Sequence, residues 1–481
     1  MLFTSLEFTV FLPIVFLLYW FVFNRNVKVQ NLFILVASYI FYGWWDWRFL
    51  FLIVFTSLCS YSCGVIIEKI RETPWKAKIV SALNIIVNLL ILWVFKYYDF
   101  FVTSFANAFL GGKTEGLLLK LVLPVGISFY TFKALSYSID VYRRKLEPTR
   151  DIVQFLAFVA FFPELLAGPI DRATDLLPQF AKRRTFKYEE GVDGLRQILW
   201  GLFKKVVIAD QCAAFADQVF ASHQTHSGST LLIAAVLYTF QIYGDFSGYS
   251  DIAIGTSKLF GIKLMQNFKM PYFSRGIAEF WRRWHISLTS WFRDYIYFPM
   301  GGSRCSKARI VLNTFVVFLA SGLWHGANWT FIAWGAYHAL LFLPLIMLGR
   351  NRKYRDTIAE DHILPNWKEC GQMLLTFILV MLGWIMFKSD SISQAFEYCQ
   401  GMLQWGTLRA SYRLFTQPEV RGCTFAILAM LIVEWWNRRE SHGLALSKVK
   451  SAFVRIAIYF ALVVAVLCSY GSNQSFIYFQ F

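Results

Sequence analysis

From Leu6 to Tyr470 the chain runs through one long apolar stretch after another, separated by short polar links. The stretches are Leu6–Phe23, Asn31–Trp45, Phe49–Ile67, Ile79–Phe100, Leu119–Tyr142, Leu195–Phe220, Thr230–Phe260, Ile310–Trp324, Thr330–Leu348, Gly371–Phe387, Thr424–Trp436 and Phe453–Tyr470. Hydrocarbon accommodates such segments, and inside it a helix satisfies its own backbone polar groups. A soluble fold would have to hide a chain that is 57% hydrophobic and 19% aromatic, with a mean hydropathy of +0.47. The expected class is all-α: a polytopic transmembrane helix bundle with re-entrant and interfacial helices. No linker, low-complexity tract or fixed-period repeat interrupts it, so residues 1–481 read as a single integral-membrane domain.

The formal charge of +17 would suggest nucleic acid in a soluble protein. Here it follows the positive-inside rule, so the expected partners are membrane lipids and not nucleic acid. Arg25 and Lys28; Lys69, Arg71, Lys76 and Lys78; Arg143, Arg144 and Lys145; Arg350, Arg352, Lys353 and Arg355; and Arg438, Arg439, Lys448 and Lys450 fall in alternate connections. That pattern puts the basic loops in the cytoplasm and both ends outside, provided Ile152–Gly168 does not cross. Pro163, Glu164, Gly168 and Pro169 suit a broken, re-entrant helix there. Leu6–Phe23 lacks a basic leader and a small-residue cleavage site, so it reads as a retained first helix. The eight cysteines show neither metal spacing nor a disulfide framework. Ile170–Gly194 and Lys263–Arg309 are too short for a second core and read as cytoplasmic-face helices and loops.

Ionisable groups in such a chain tend to face water or a reacting substrate. His285 lies in Phe280-Trp-Arg-Arg-Trp-His-Ile-Ser-Leu and His325 in Ser321-Gly-Leu-Trp-His-Gly-Ala-Asn-Trp. Between Glu279 and Pro299, Trp281, Trp284, Leu288, Trp291 and Tyr295 recur at steps of three and four. Arg282, His285, Thr289 and Arg293 follow the same step on the flanking face. The expectation is one amphipathic interfacial helix, tryptophans toward lipid or bundle and the basic side toward water, where arginines could receive a phosphate-bearing donor. Mere anchoring is the blander reading of that stripe.

His325 falls in a short connection flanked by Gly322 and Gly326, where a neutral imidazole suits removal of a hydroxyl proton. A satisfied core histidine is the alternative. His338, His442, His223, His226 and His362 read as structural or solvated. Asp245, Ser247, Tyr249, Ser250 and Asp251 interrupt an apolar run and need a cavity or partners; either carboxylate could orient one of the two histidines. The candidate substrate-binding residues are Arg282, Trp324, Asn328, Asp245 and Tyr249.

Five strings together resemble the membrane-bound O-acyltransferase (MBOAT) family: Leu123-Pro-Val-Gly-Ile-Ser-Phe-Tyr-Thr-Phe, Phe161-Phe-Pro-Glu-Leu-Leu-Ala-Gly-Pro-Ile, Tyr243-Gly-Asp-Phe-Ser-Gly-Tyr-Ser-Asp-Ile-Ala, the His285 string and Gly322-Leu-Trp-His-Gly. They look most like its bacterial branch, the alginate O-acetyltransferase membrane subunits and their D-alanyl-transfer relatives. The ending Phe476-Ile-Tyr-Phe-Gln-Phe also resembles a terminus of that branch. The resemblance implies a bundle with funnels from both faces, His325 as the acyl-transfer histidine and His285 as the second signature residue. It further implies a cytoplasmic thioester donor, a polysaccharide hydroxyl outside, and a separate exported acyltransferase that completes the transfer. Acetyl-CoA is the expected donor, with no bound cofactor, in the bacterial cytoplasmic (inner) membrane. D-Alanyl transfer from a carrier-protein thioester, a transporter and a non-enzymatic scaffold of a secretion complex are the alternatives.

Overall fold

A computed structural model describes residues 1–114, 116–404, 414–415, 417–447, 449–471 and 476–477. Lys448 and the last four residues of the terminal string fall outside that set. Among the described residues there is no strand, and seven helices are long and apolar enough to cross a membrane. Leu6–Val22 and Val27–Gly43 are shorter apolar helices of the same character. The all-helical, multi-pass expectation holds. The chain divides into two compact units, Met1–Leu195 with Ala253–Met265, and Arg196–Ile252 with Gln266–Phe481.

The first unit comprises α1 (Leu6–Leu17), α2 (Val27–Gly43), α3 (Leu50–Lys69), α4 (Pro74–Lys96), α5 (Tyr98–Phe109), α6 (Ile127–Tyr142), α7 (Ile152–Ala160), α8 (Phe162–Leu165), α9 (Ala173–Ala181) and the start of α10 (Tyr188–Leu202). Asn84 on α4 donates to Ser138 of α6 (2.8 Å) and to Ser60 of α3 (3.3 Å), tying three apolar helices together by side-chain hydrogen bonds. The span expected from Leu119 begins as a helix only at Ile127. Gly126 ahead of it sits at φ 76°, and a Cβ there would strike the Leu165 carbonyl. Ile152–Gly168 is broken, as its prolines suggest: the backbone turns at Phe161 (φ −53°, ψ 110°) between α7 and α8. The buried Glu164 carboxylate in this break receives the Lys133 ammonium, which also donates to the Phe158 carbonyl (2.8 Å).

The second unit holds the rest of α10, then α11 (Asp210–Ala221), α12 (Gly228–Leu259), α13 (Ile277–Arg283), α14 (Ile286–Phe292), α15 (Lys307–His325), α16 (Trp329–Met347), α17 (Trp367–Lys388), α18 (Ile392–Met402), α19 (Pro418–Trp436) and α20 (Ala452–Ser469). The last turns of α12 belong to the first unit. The stretch expected as one span from Leu195 is interrupted by a wide π turn, Phe203–Ala209. Gly201 and Gly248 let the backbones of α10 and α12 touch; a Cβ on Gly248 would lie 2.7 Å from the Gly201 oxygen. This approach brings two buried lysines onto the polar face of α12. Lys204 pairs with Asp251 (2.5 Å) and donates to Ser247 (2.9 Å), while Lys205 bridges Asp210 (2.8 Å) and Asp245 (2.7 Å). Asp245, Ser247 and Asp251 of α12 thus find partners, as burial in an apolar setting demands.

Candidate active site

α15 and α16 form an antiparallel hairpin, and His325 is the last residue of α15. Two glycines make that turn narrow. A Cβ at Gly322 would overlap the Phe331 carbonyl, and one at Gly326 would overlap the Phe331 ring. The tight approach anticipated from the sequence is present, and it turns His325 into the protein, where it is 3% exposed. Trp334 (5.1 Å between ring centroids), Phe387 (5.3 Å) and Trp324 (5.1 Å) surround its imidazole.

His285 reaches the same place by a different route. The single amphipathic helix expected from Glu279 to Pro299 does not exist. α13 stops at Arg283, Trp284 is extended (φ −103°, ψ 128°), and His285 is left-handed (φ 44°, ψ 53°) before α14 restarts. The cause is a competing backbone pairing. Lys269 N–H donates to the Arg283 oxygen and Ile286 N–H to the Asn267 oxygen, both at 2.9 Å. A non-glycine residue in this region is strained and persists only where its surroundings hold it. Of the two placements expected for the tryptophans, lipid or bundle, they take the bundle: Trp281, Trp284 and Trp291 are all buried. His285 is 1% exposed and does not lie on a water-facing basic side.

The two imidazoles meet with ring centroids 6.3 Å apart. Their nitrogens can therefore come no closer than about 4 Å, too far for a direct hydrogen bond and enough for one bridging oxygen. Trp324 touches both rings, 5.6 Å from His285, and Phe246 stands edge-on to His285 at 4.6 Å. The open waist implied by paired funnels is, in this structure, an aromatic cage closed around both histidines.

Asn267 fixes the protonation of His285. The Asn267 side-chain oxygen receives the Ser287 N–H (3.3 Å) and the Ser287 hydroxyl (2.9 Å), and its amide nitrogen donates to Ser250 (3.1 Å). A backbone N–H can only donate, so the atom it meets is the carbonyl oxygen. His285 Nδ1, 3.1 Å from that oxygen, must then carry the proton. Nε2 is left as a lone-pair nitrogen, buried and without a partner among the described residues. Burial pushes this imidazole, which lies outside the candidate spans, down to about 3, so it is neutral at physiological pH.

Of the residues proposed from sequence, the structure brings together His285, His325 and Trp324. Asp245 and Asp251 orient neither histidine; they are engaged by Lys205 and Lys204, and Asp245 also accepts the Ile477 N–H at 2.7 Å. Asn267 holds His285 in their stead. Tyr249 packs against Phe476 (4.7 Å), which in turn lies 6.2 Å from Phe246. Arg282 donates to the carbonyls of Asn351, Lys353 and Tyr354 and so straps the loop after α16. Asn328 caps α16 through Thr330 N–H (3.0 Å) and donates to the Asp390 oxygen (3.1 Å). Asn267, Ser287, Phe246, Trp334 and Phe387 were not singled out. Ser287 stood two residues from His285, but nothing in the spacing marked Asn267.

The sequence matches the profile of the membrane-bound O-acyltransferase family over residues 39–383. This chain belongs to the membrane-bound O-acyltransferase family. It is 40% identical over 436 residues to the "Probable alginate O-acetylase AlgI" of Pseudomonas aeruginosa, covering 90% of this chain and 80% of that protein. The Pseudomonas putida protein of the same name is 37% identical, with 98% of each chain covered. A "Peptidoglycan O-acetyltransferase" from Helicobacter pylori is 31% identical over 99% of this chain and 97% of its own length. A "Teichoic acid D-alanyltransferase" from Bacillus subtilis is 30% identical over 56% of this chain. The MBOAT chain is thus a multi-pass O-acyltransferase, and its two histidines form the candidate active site.

Proposed function

We propose that this O-acyltransferase moves an acetyl group from a cytoplasmic thioester, acetyl-CoA, to hydroxyls of a polysaccharide on the far side of the bacterial inner membrane. The observation that carries this reading is the His285–His325 pair, 6.3 Å apart within one aromatic cage. An acceptor hydroxyl held beside His325 loses its proton to the imidazole as its oxygen attacks the thioester carbon. The C–S bond breaks, and the proton passes to the departing thiolate. Such general-base help is worth typically about 10²–10⁴-fold. His285 serves as a holder: its free Nε2 is a hydrogen-bond acceptor, and polarising a carbonyl would need a proton there that Asn267 directs to Nδ1. With both imidazoles enclosed, the aromatic side chains must move to admit substrate, and their closure then excludes water.

Acetyl transfer is preferred to D-alanyl transfer because the relatives named for O-acetylation match over nearly the whole chain, whereas the teichoic acid enzyme covers 56% of it. An alginate-like polymer is the acceptor class, and an exported acyltransferase is the partner that completes delivery. The test uses proteoliposomes with acetyl-CoA on one side and polysaccharide on the other. Thiol release and polymer acetylation that depend on donor at the basic-loop face support the proposal. Turnover only with a D-alanyl carrier-protein thioester, or solute flux with no thioester consumed, overturns it.

A further inference from the structure

Where the basic ends of α3, α4 and α6 meet, the first unit has a pocket of about 610 Å³, counting its open mouth. Ile67, Ala77 and Val141 give it a buried apolar floor. Its rim carries two arginines, Arg71 and Arg144, and two carboxylates, Glu68 and Glu147. The pocket lies at the ends of two helices that are each long and apolar enough to cross a membrane, Trp47–Lys69 and Pro74–Lys96. Trp75, exposed with the Lys76 ammonium 5.5 Å from its ring, marks the bilayer interface there. Ile66 and Ile79, just inside it, offer exposed apolar side chains to hydrocarbon. A ligand in this pocket would sit at the depth of lipid headgroups.

The rim charges are arranged for exchange. Arg71 forks onto both oxygens of Glu147, at 3.3 and 3.2 Å, but the two side chains are 43% and 73% exposed. Such an ion pair contributes little to stability. A phosphodiester presents the same two oxygens and the same charge to the guanidinium. Glu147, once displaced, needs a cation of its own, because Glu68 already takes Arg150 at 3.1 Å. An occupant that brings both a phosphate and an ammonium leaves every charge at the rim paired.

Arg144 adds a second observation. It follows α6 in the left-handed region (φ 60°), with its N–H on the Val141 oxygen (3.0 Å) and the Lys145 N–H on the Asp140 oxygen (2.9 Å). Glycine is the usual residue at this helix-ending position. The Arg144 guanidinium makes a long, exposed hydrogen bond to the Arg71 carbonyl (3.4 Å), which is weak recompense for the strain. Strained residues of this kind collect at ligand clamps.

We propose that this pocket is a headgroup site for a zwitterionic aminophospholipid of the phosphatidylethanolamine type. Arg71 and Arg144 hold its phosphodiester, Glu147 takes its ammonium, and its acyl chains leave along the exposed apolar sides of α3 and α4. Basic pockets between membrane helices are a recurring form of lipid recognition. The site is separate from acyl transfer and does not depend on that reading.

The experiment titrates delipidated, full-length protein in detergent with dioleoyl phosphatidylethanolamine or dioleoyl phosphatidylglycerol, and counts bound lipid by native mass spectrometry. Arg71→Gln and Arg144→Gly, a change that the left-handed turn tolerates, should each weaken the ethanolamine lipid about 10-fold through loss of a charge-assisted hydrogen bond. Glu147→Gln should weaken that lipid and leave the glycerol lipid unchanged. Lys76→Gln, the same loss of charge outside the pocket, should bind as wild type does. Equal wild-type affinity for the two lipids, or an equal loss in Lys76→Gln, would reduce the effect to general attraction by basic loops and overturn the proposal. Displacement of the lipid by equimolar glycerophosphoethanolamine or inorganic phosphate would overturn it in favour of a soluble ligand. Leu146→Trp, which fills the pocket from its loop, should abolish binding, and lipid retained by that folded variant would place the site elsewhere.

Discussion

Replacing Asn267 by leucine removes the acceptor that sets the His285 tautomer while keeping a side chain branched at the same carbon. Three donors converge on the Asn267 oxygen: His285 Nδ1, Ser287 N–H and the Ser287 hydroxyl. The hydroxyl can rotate to another partner and the imidazole can shift its proton, but the Ser287 N–H cannot. A stranded buried donor costs roughly 1–3 kcal/mol, so the variant should lose about that much stability. The surviving folded fraction is the informative one. There His285 is free to turn and to place its proton on Nε2, and misplacement of about 1 Å at such a site costs on the order of 10²-fold in rate. Asn267→Asp offers the same acceptor geometry and should preserve the Nδ1–H tautomer, but its carboxylate raises the His285 pKa. The assay is thiol release from acetyl-CoA per folded protein, alongside the histidine nitrogen resonances of isotopically labelled enzyme. The leucine variant should fall about 100-fold in kcat while the aspartate variant retains activity with a shifted pH profile. A folded Asn267→Leu protein with wild-type kcat would refute the tautomer argument.

Because burial holds the His285 imidazole down to about 3, it stays neutral from pH 8 to pH 5. His285→Gln should therefore slow transfer without moving the acidic limb of the pH–rate profile in that range; a displaced limb would mean that His285 titrates there. The same depressed pKa means the unfolded chain binds a proton that the folded chain does not, so stability falls as pH drops below about 6.5 toward 3. Chemical denaturation across that window should show a smaller decline for His285→Gln than for wild type. Gly322→Val drives a side chain into the Phe331 carbonyl and displaces His325. It should lower Tm by several degrees and activity about 100-fold, and a neutral outcome would mean the hairpin has slack. Lys205→Met leaves Asp210 and Asp245 facing each other without their cation, at about 3–5 kcal/mol in thermal stability; an unchanged Tm would show the pair is not buried.

The helices were legible because their apolar lengths and basic links obey constraints that act locally. The same holds at Gly322 and Gly326, where two glycines beside a histidine announced a close backbone approach. The break at Trp284–His285 was not legible. Arg283-Trp-His-Ile carries neither proline nor glycine, and its spacing fits an unbroken helix. The backbone of Asn267–Lys269 overrides that local preference, through hydrogen bonds that reach 14 and 19 residues along the chain. The Asn267 anchor was hidden for the same reason: hydrogen bonds between distant loops leave no periodic trace. The π turn at Phe203–Ala209 had no signal either, since the pairing of its Lys204 and Lys205 with α12 joins residues more than thirty positions apart. Asp245 and Asp251, as carboxylates in an apolar run, need partners, and lysines, not histidines, meet that need.

The central claim is that His325, enclosed with His285 in one cage, takes the acceptor's proton during acyl transfer. The direct measurement is transfer of radiolabelled acetyl from acetyl-CoA to polysaccharide by reconstituted His325→Ala, at matched folded protein. Activity should drop at least about 100-fold with Tm close to wild type. A stable His325→Ala protein that acetylates at the wild-type rate would contradict the account.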